Sequence, residues 1–334
     1  MTIKVGINGF GRIGRMVLRS IIENNRKDLE VVAINNRGNS EVSSFLLKHD
    51  TIHGKLKARV DHTEKEIKIN GKTINLIRET EISKINWKKH NVNVVLECTG
   101  KFNTKEKSSQ HINSGAKKVL VSAPCKGAIN IVFGVNQKIL KKNDDVIAAA
   151  SCTTNCLAPV AKVINDKFGI ERGFMTTIHS YTTDQRLLDN SHKDLRRARS
   201  AASSMIPTTT GATKSVADVI PDLKGKVEGV SIRVPTPNVS LVEFVFTSKK
   251  NMTTEEINNS FIKAAKSELK NILNTNDEQL VSTDFNHDPH SSIVDLSLTK
   301  VIDKKMAKVS AWYDNEWGFA NRMCDLAVYL GNLK

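Results

Sequence analysis

Cys152 is the residue with the clearest capacity for chemistry, in the stretch Ser151-Cys152-Thr153-Thr154-Asn155-Cys156. An apolar run at 146–150 precedes it and an apolar pattern of helical period follows, which predicts a thiol at a helix N-terminus. Unpaired backbone N–H groups and the positive end of the helix dipole favour the thiolate there, the form that attacks carbonyl groups. His179 ends a second strand-like run. Because thiols are commonly activated by histidine, we expect Cys152 to be a nucleophile and His179 its base.

Both residues also have ordinary structural explanations, since most intracellular cysteines are small buried apolar residues and a single histidine is usually a satisfied polar group. Cys152 and Cys156 are four residues apart and share one helix face, so a metal site or a redox pair is an alternative. No CxxC or further cysteine pair supplies the remaining ligands. No metal site is predicted.

The composition is that of an ordinary globular protein. The chain has 334 residues, 39% hydrophobic and 25% charged, enough for two domains. Its five cysteines are scattered, and no apolar run approaches the roughly 20 residues that span a bilayer. We therefore expect a soluble cytoplasmic protein without a membrane partner.

The net charge of +15 suits nucleic acid, an acidic surface or small anionic substrates. The lysines are dispersed along the chain, and aromatic residues make up only 5%. Neither a basic tail nor a stacking platform is present, so a specific nucleic-acid partner is disfavoured.

The N-terminus has the pattern of a dinucleotide-binding fold. An apolar run at 3–8 is followed by Gly9-Phe10-Gly11-Arg12-Ile13-Gly14, an apolar pattern of helical period, and a second apolar run at 30–35. This order of strand, glycine turn, helix and strand is the context that makes a GxGxxG motif specific. Gly9 and Gly11 would let the backbone approach a pyrophosphate at the helix N-terminus.

The rest of the chain divides into two patterns. Short apolar runs at 93–97, 118–122 and 146–150 predict further buried strands of a doubly wound parallel sheet. Beyond residue 170, alternating runs at 239–246, 293–301 and 308–313 predict strands of a mostly antiparallel sheet with one solvent-facing side. Thr253 and Glu256 form a capping box that opens a helix carrying Leu269, and 317–330 predicts another helix.

Several blocks together resemble phosphorylating glyceraldehyde-3-phosphate dehydrogenases (type I) across essentially the whole chain. They are 9–14, 151–156, His179-Ser180-Tyr181-Thr182, 195–199, 207–212, 233–237 and Trp312-Tyr313-Asp314-Asn315-Glu316-Trp317. The resemblance implies an NAD(P)-binding Rossmann domain at 1–150 completed by the C-terminal helix at 316–334, and an α+β catalytic domain at 151–315. It also implies a homotetramer.

The resemblance implies roles for individual residues. Cys152 looks like the nucleophile and His179 like the base in the oxidation of glyceraldehyde 3-phosphate to 1,3-bisphosphoglycerate, through a hemithioacetal and a thioester that inorganic phosphate splits. Thr182 and Arg233 resemble residues that hold the substrate's own phosphate. The site of the attacking phosphate is matched by Ser151, Thr153, Arg197, Thr210 and Gly211. Thr208 to Thr210 could instead cap the following helix, and the arginines at 196–199 could be solvated.

For the cofactor, Arg12 and Ile13 match the pyrophosphate loop, Arg78 and Ser122 match positions near the adenine and ribose, and Asn315 matches the amide that orients the nicotinamide. NAD-specific members usually have Asp where this chain has Asn36, followed here by Arg37. Many also have Leu-Pro where this chain has Asn190-Ser191. Because the missing Asp would repel a 2′-phosphate, we expect NADP to be accepted, with Asn36, Arg37 and Ser191 as contacts.

Two other functions remain open at this point. An erythrose 4-phosphate dehydrogenase would use the same thiol and cofactor. A protein that binds RNA or another polyanion would use the basic surface, with or without catalysis. The resemblance leaves open whether the reaction serves glycolysis, gluconeogenesis or carbon fixation.

Overall fold

The computed structural model describes residues 2–333, which divide into two compact units. The first comprises residues 2–131, 137–150 and 320–333, and the second comprises 132–136 and 151–319. Among the helices of the described part of the chain, none is long and apolar enough to cross a membrane.

The first unit is built around a nine-stranded sheet. Its elements are β1 (Ile3–Asn8), α1 (Arg12–Glu23), β2 (Leu29–Asn35), α2 (Ser40–Lys48), β3 (His49–Asp50), β4 (Gly54–Lys55), β5 (Val60–His62), β6 (Glu66–Ile69), β7 (Lys72–Ile77), β8 (Val94–Glu97), α3 (Lys105–Asn113), β9 (Lys118–Val121), β10 (Ile129–Asn130) and β11 (Val146–Ala148). The strand order is β10-β11-β9-β8-β1-β2-β7-β6-β5. All neighbours from β10 to β7 are parallel, whereas β6 pairs antiparallel with both β7 and β5.

The strand order of this sheet reverses between β1 and β8. From β1 the chain proceeds to β2 and β7 on one side, and β8 then returns to the other side of β1. Ligands of doubly wound sheets bind beyond the carboxyl ends of the strands at such a switch point. Asn8 and Glu97 end the two strands, are register partners, and are joined by a hydrogen bond from Asn8 Nδ2 to Glu97 Oε2 (2.6 Å).

The second unit is built around an eight-stranded sheet. Its elements are α4 (Cys152–Phe168), β12 (Ile170–Ser180), β13 (Ile206–Thr208), α5 (Ala212–Val219), β14 (Val227–Val234), β15 (Ser240–Ser248), α6 (Thr254–Lys266), β16 (Leu273–Asn276), β17 (Ser292–Asp295), β18 (Lys300–Ile302), β19 (Met306–Tyr313) and the start of α7 (Trp317–Asn332). Five of the seven strand pairs are antiparallel, and β12 with β14 and β16 with β17 are the parallel pairs. The rest of α7 belongs to the first unit.

The fold class predicted from the sequence is confirmed. Side chains of β15 alternate between buried and partly exposed, as expected of a strand with one core face. Phe244 and Phe246 stack at 5.2 Å on its buried face. The capping box is also present, because the N–H of Glu256 donates to Thr253 Oγ1 (3.1 Å) and the N–H of Thr253 donates to Glu256 Oε2 (2.9 Å). Leu269 is buried but lies beyond the end of this helix.

One predicted strand is wrong. The run at 293–301 is split into β17 and β18 by a turn of 3₁₀ helix, Leu296–Leu298. The side chain of Asp295 accepts hydrogen bonds from the N–H (3.2 Å) and hydroxyl (2.6 Å) of Ser297. An aspartate that caps a turn in this way competes with the sheet hydrogen bonds and ends the strand.

Candidate active site

Cys152 is the first residue of α4, so the predicted helix N-terminus is present. Ser151 is the N-cap, and its hydroxyl accepts a hydrogen bond from the N–H of Thr154 (3.0 Å). The turn between β11 and α4 depends on Ala150, which is fully buried with a φ of 56°. A non-glycine residue in this region of φ is uncommon and is found where the surroundings fix it. The turn therefore sets the direction in which Cys152 enters the helix.

His179 lies beside the thiol. It is near the end of β12 and 4% exposed, and its Nε2 is 3.5 Å from Sγ of Cys152. Its Nδ1 is 2.7 Å from the backbone oxygen of Ser180 and 2.7 Å from Arg233. We assign the imidazole proton to Nδ1, because the carbonyl oxygen of Ser180 can only accept, and the guanidinium group of Arg233 can donate to that same oxygen (3.0 Å). This tautomer leaves the lone pair of Nε2 towards the thiol, as a base requires.

Burial sets the protonation of this pair. It raises the pKa of the Cys152 thiol, although the charge of Arg233 and the N–H and hydroxyl of Thr153 act in the opposite direction. Burial, followed by the charge of Arg233, lowers the pKa of His179 to about 3. The N–H groups of Cys152 and Thr153 at the helix N-terminus do act to lower the pKa of the thiol, as expected, but burial outweighs them. The resting pair is a neutral thiol beside a neutral base.

Two arginines give the site a positive potential. Arg233 on β14 is the direct register partner of His179 on β12. Burial lowers the pKa of Arg233, and the charge of Arg197 contributes in the same direction, so the two guanidinium groups share one electrostatic environment. Arg197 donates to Asp184 Oδ2 (2.7 Å) and Thr208 Oγ1 (3.0 Å). An anion that binds Arg197 must therefore compete with a carboxylate.

The remaining predicted phosphate ligands are partly engaged by local structure. Thr153 shares a hydrogen bond with the hydroxyl of Tyr313 (2.9 Å), and the N–H of Thr182 donates to Gln185 (3.2 Å). Thr210 Oγ1 accepts from the N–H of Ala212 (3.2 Å), which supports the alternative that this run caps α5. At Gly211, the N-cap of α5, a Cβ would meet no atom within 4 Å, so an open space lies at this helix N-terminus.

Asn315 belongs to the same hydrogen-bonded group as the base. Its Oδ1 accepts from the hydroxyls of Ser180 and Ser240, each at 2.9 Å. Since Ser180 also provides the carbonyl that holds His179, the structure brings Cys152, His179, Arg233 and Asn315 into one connected arrangement.

The glycine loop of the first unit fits a pyrophosphate. Gly9 has a φ of 94°, and a Cβ there would come within 2.8 Å of Thr99; a Cβ on Gly14 would come within 2.1 Å of the Gly9 oxygen. A Cβ on Gly11, by contrast, would meet nothing within 4 Å. Gly11 is the N-cap of α1 and supplies no side-chain cap to its N–H groups. Gly9 and Gly14 are therefore required by the turn itself. Gly11 leaves an open space at the helix N-terminus, a cradle in which an anion can bind.

Arg12 and Ile13 are the first two residues of α1, where their N–H groups face this cradle. The side chain of Arg12 instead forms a bidentate ion pair with Asp50 (2.5 and 3.2 Å). Burial disfavours the ionised form of Asp50, but the hydrogen bonds from Arg12 and the N–H of His53 outweigh it and lower the pKa to about 2.

The other predicted cofactor residues differ in their placement. Gly9, Gly11, Asn36 and Arg37 line one cavity, in which Arg37 is exposed and Asn36 Nδ2 donates to Ser43 Oγ (3.0 Å). Arg78 is exposed, bonds to the oxygen of Glu64 (3.0 Å), and does not line this cavity. Ser122 follows β9 and donates its N–H to the Glu97 oxygen (3.0 Å). Ser191 is exposed and belongs to the second unit.

Several residues at these sites were not assigned a role from the sequence. Tyr313 is buried, bonds to Thr153 and Thr177 (2.9 Å each), and its ring meets that of His179 edge to face at 6.0 Å. Asp184 holds Arg197, and the cavity at the glycine loop is also lined by Glu79, Thr80 and Thr99. Of these residues, only Tyr313 lies within one of the sequence blocks that carry the family resemblance, the block at 312–317.

Comparison with known proteins gives one result along the whole chain. The family model for the NAD binding domain of glyceraldehyde 3-phosphate dehydrogenase matches residues 3–105, and the model for its C-terminal domain matches residues 151–315. The chain is 54% identical over 334 residues to the glyceraldehyde-3-phosphate dehydrogenase of Cereibacter sphaeroides, with 100% of each chain covered. It is 52% identical to those of Xanthobacter flavus, with 100% of each covered, and Geobacillus stearothermophilus, with 99% of each covered. These names do not favour the erythrose 4-phosphate alternative.

Proposed function

Since the chain belongs to the glyceraldehyde-3-phosphate dehydrogenase family, we propose that it oxidises glyceraldehyde 3-phosphate to 1,3-bisphosphoglycerate, using NAD and inorganic phosphate. The observation that carries this proposal is the contact between Sγ of Cys152 and Nε2 of His179 (3.5 Å), with Arg233 2.7 Å from Nδ1 of the same histidine. A thiol, a base and a guanidinium group together suit attack on an aldehyde that carries a phosphate.

His179 moves the proton in each step. Sγ of Cys152 adds to the aldehyde carbon while Nε2 takes the thiol proton and returns it to the developing alkoxide, which gives a hemithioacetal. Nε2 then takes the hydroxyl proton while the carbon loses hydride, which gives the thioester. NAD, when bound, would supply the hydride acceptor. A phosphate oxygen attacks the thioester, the C–S bond breaks, and the departing sulfur recovers its proton from His179.

The anion ligands would divide between two phosphates. We assign Thr182 and Arg233 to the phosphate of the substrate. We assign Ser151, Thr153, Arg197, Thr210 and Gly211 to the attacking phosphate. Hydroxyls, backbone N–H groups and guanidinium groups are suitable donors to phosphate oxygens. The open space at Gly211 supports an anion at that helix N-terminus, and the proximity in charge of Arg197 and Arg233 supports the binding of phosphate groups in this region.

The first unit, with α7, would bind the nucleotide, and the second would carry the reaction. The N–H groups of Arg12 and Ile13 would hold the pyrophosphate in the cradle at Gly9 and Gly11. Asn315 would bind the nicotinamide carboxamide, and Ser122 and Arg78 would lie near the ribose and adenine. Of these, the assignment of Arg78 has the least support, since its side chain bonds to Glu64 outside the cavity.

We also propose that the enzyme accepts NADP. Asn36 carries no charge that would repel a 2′-phosphate, and the exposed Arg37 lies in the cavity of the glycine loop. We assign Ser191 to the same nucleotide. The double variant Asn36→Asp, Arg37→Leu should shift kcat/KM towards NAD. An unchanged ratio of kcat/KM for the two nucleotides would contradict the assignment.

A homotetramer in the cytoplasm is the assembly and location that we propose. Leu187, Leu188, Leu195 and Met205 are 75%, 75%, 83% and 74% exposed, and large apolar side chains so exposed are typical of interfaces. All five cysteines, which lie within the described residues, are free, as in a reducing compartment. Light scattering of the purified protein would give the oligomeric state.

The function is tested by a steady-state assay with glyceraldehyde 3-phosphate and each nucleotide, with and without inorganic phosphate. We expect NADH or NADPH formation that requires phosphate, because the thioester must be split before a second turnover. Cys152→Ser should abolish turnover and leave NAD affinity unchanged. NADH or NADPH formation that does not depend on phosphate, or a Cys152→Ser variant with an unchanged turnover rate, would refute the proposal.

A further inference from the structure

Ser180 is a fully buried residue that contacts both the base and Asn315. Its backbone oxygen accepts a hydrogen bond from Nδ1 of His179 (2.7 Å) and one from Arg233 (3.0 Å). Its hydroxyl donates to Oδ1 of Asn315 (2.9 Å), and its N–H donates to the hydroxyl of Ser240 (3.1 Å). One residue therefore holds two groups that have different tasks in the proposed reaction.

The two serine hydroxyls determine how the amide of Asn315 is oriented. Ser240 accepts the N–H of Ser180, which leaves its own proton for Oδ1 of Asn315 (2.9 Å). Ser180 donates its proton to the same oxygen. With two donors on Oδ1, the NH₂ group must point away from both serines. Within residues 2–333 no hydrogen bond holds that nitrogen, so it is free to donate to a ligand.

The backbone around Ser240 shows that this position is specified. Val239 is buried with a φ of 64°, which is a true outlier for a β-branched residue. It lies between Ser240 and Asn238, whose Nδ2 donates to Asp314 Oδ2 (2.9 Å). Asp314 Oδ1 in turn accepts the N–H of Trp317 (2.8 Å) at the start of α7. Strained residues of this kind persist where several contacts fix them and cluster at functional sites.

We propose that Ser180 is a positioning residue that fixes the tautomer of His179 through its carbonyl and the amide orientation of Asn315 through its hydroxyl. This inference rests on the proposed function, in which Asn315 binds the nicotinamide carboxamide. The NH₂ group of Asn315 then donates to the carboxamide oxygen of the nucleotide. The hydroxyl of Ser180 acts on nucleotide binding alone, because the carbonyl that holds His179 belongs to the backbone.

The test compares NAD with ADP-ribose, which lacks the nicotinamide. In Ser180→Ala the Kd of NAD should rise about five-fold, as expected for the loss of one neutral hydrogen bond, while the Kd of ADP-ribose stays the same. The rate of alkylation of Cys152 should also stay the same, since the carbonyl remains on Nδ1 of His179. Ser240→Ala removes the other donor to Oδ1 and should also weaken NAD alone. Titration calorimetry measures both ligands.

An unchanged Kd of NAD in Ser180→Ala overturns the proposal, as does an equal rise in the Kd of ADP-ribose, which indicates general damage. Asn315→Ala separates this outcome from failure of the proposed function. If Asn315→Ala weakens NAD but Ser180→Ala does not, only the role of Ser180 fails. If Asn315→Ala has no effect on NAD, the role of Asn315 fails as well. Should Ser180→Ala not fold, an unchanged Kd of NAD in Ser240→Ala overturns the proposal.

Discussion

Replacing Arg12 by alanine separates two roles for a residue of the glycine loop. The resemblance assigned Arg12 to the pyrophosphate, whereas in the structure its guanidinium pairs with Asp50 through two contacts of 2.5 and 3.2 Å. If the backbone N–H of Arg12 binds the pyrophosphate and the side chain holds Asp50, then Arg12→Ala should lower stability and leave NAD affinity nearly unchanged.

The size of the effect follows from the burial of the pair and from the pKa of Asp50. The side chains are 25% and 1% exposed, so the pair is intermediate between a surface ion pair and a buried one. The pKa of Asp50 is about 2 instead of 3.8. At about 1.4 kcal/mol per pKa unit, this bounds the stabilisation at roughly 2 kcal/mol, part of it due to backbone donors. We expect a loss of about 1–2 kcal/mol in Arg12→Ala at pH 7, or a fall in the melting temperature of roughly 1.5–3 °C.

The pH dependence has a definite sign. Because the pKa of Asp50 is lower in the folded state, its ionised form stabilises the fold above the ordinary pKa of 3.8, and this stabilisation is lost as the pH falls through about 2. The difference in unfolding free energy between the wild-type protein and the Arg12→Ala variant should therefore be constant above about pH 5 and should shrink below pH 4.

Thermal unfolding and NAD titration decide the question, with Arg59→Ala as a matched control. Arg59 and Asp61 form an ion pair at 2.8 Å in the same unit, but their side chains are 81% and 53% exposed. Its loss should cost no more than about 0.5 kcal/mol. An Arg12→Ala protein with an unchanged melting temperature and a ten-fold weaker affinity for NAD would show that the side chain serves the nucleotide instead.

Three further variants test the base and the glycine loop. His179→Asn should lower kcat/KM by roughly 10²–10⁴, the usual contribution of a general base, and leave the Kd of NAD unchanged; a fall of less than about five-fold would contradict the assignment of His179. Gly11→Ala should fold normally, because its Cβ meets nothing within 4 Å, but weaken NAD binding at least about ten-fold by filling the cradle. Gly14→Ala should instead lower the melting temperature, since its Cβ would come within 2.1 Å of the Gly9 oxygen. Equal behaviour of the two glycine variants would refute this distinction.

Features with local signals could be predicted from the sequence. The glycine turn between β1 and α1, the capping box at Thr253 and the helix that begins at Cys152 each depend on residues a few positions apart. The prediction of one strand at 293–301 was wrong because hydrophobic alternation does not show that the chain turns at Asp295. The side chain of Asp295 has the alternative of capping a turn, and only the surrounding sheet decides which hydrogen bonds it makes.

The arrangement of the active site depends on sheet register. His179 and Arg233 are 54 positions apart, and they meet because β12 and β14 are parallel neighbours in which these two residues are partners. The hydrophobic pattern predicts the two strands but does not show that they are neighbours in the sheet. The protonation of Cys152 depends on burial in the same way. The dipole effect could be predicted from the helix start, whereas the loss of solvent that outweighs it arises from packing.

Asp184 shows how a residue without a motif changes the chemistry of its neighbours. Burial opposes its ionisation, but the hydrogen bond and charge of Arg197 outweigh burial and lower the pKa of Asp184. Arg197 is therefore partly neutralised before any phosphate arrives, and the attacking phosphate must share or displace a carboxylate. Tight binding of phosphate before the attack would lower KM without increasing kcat. Because the attacking oxygen loses negative charge as it bonds to the thioester carbon, an arginine already paired with Asp184 loses less interaction energy in that step than a free arginine would, which favours the second half of the proposed reaction.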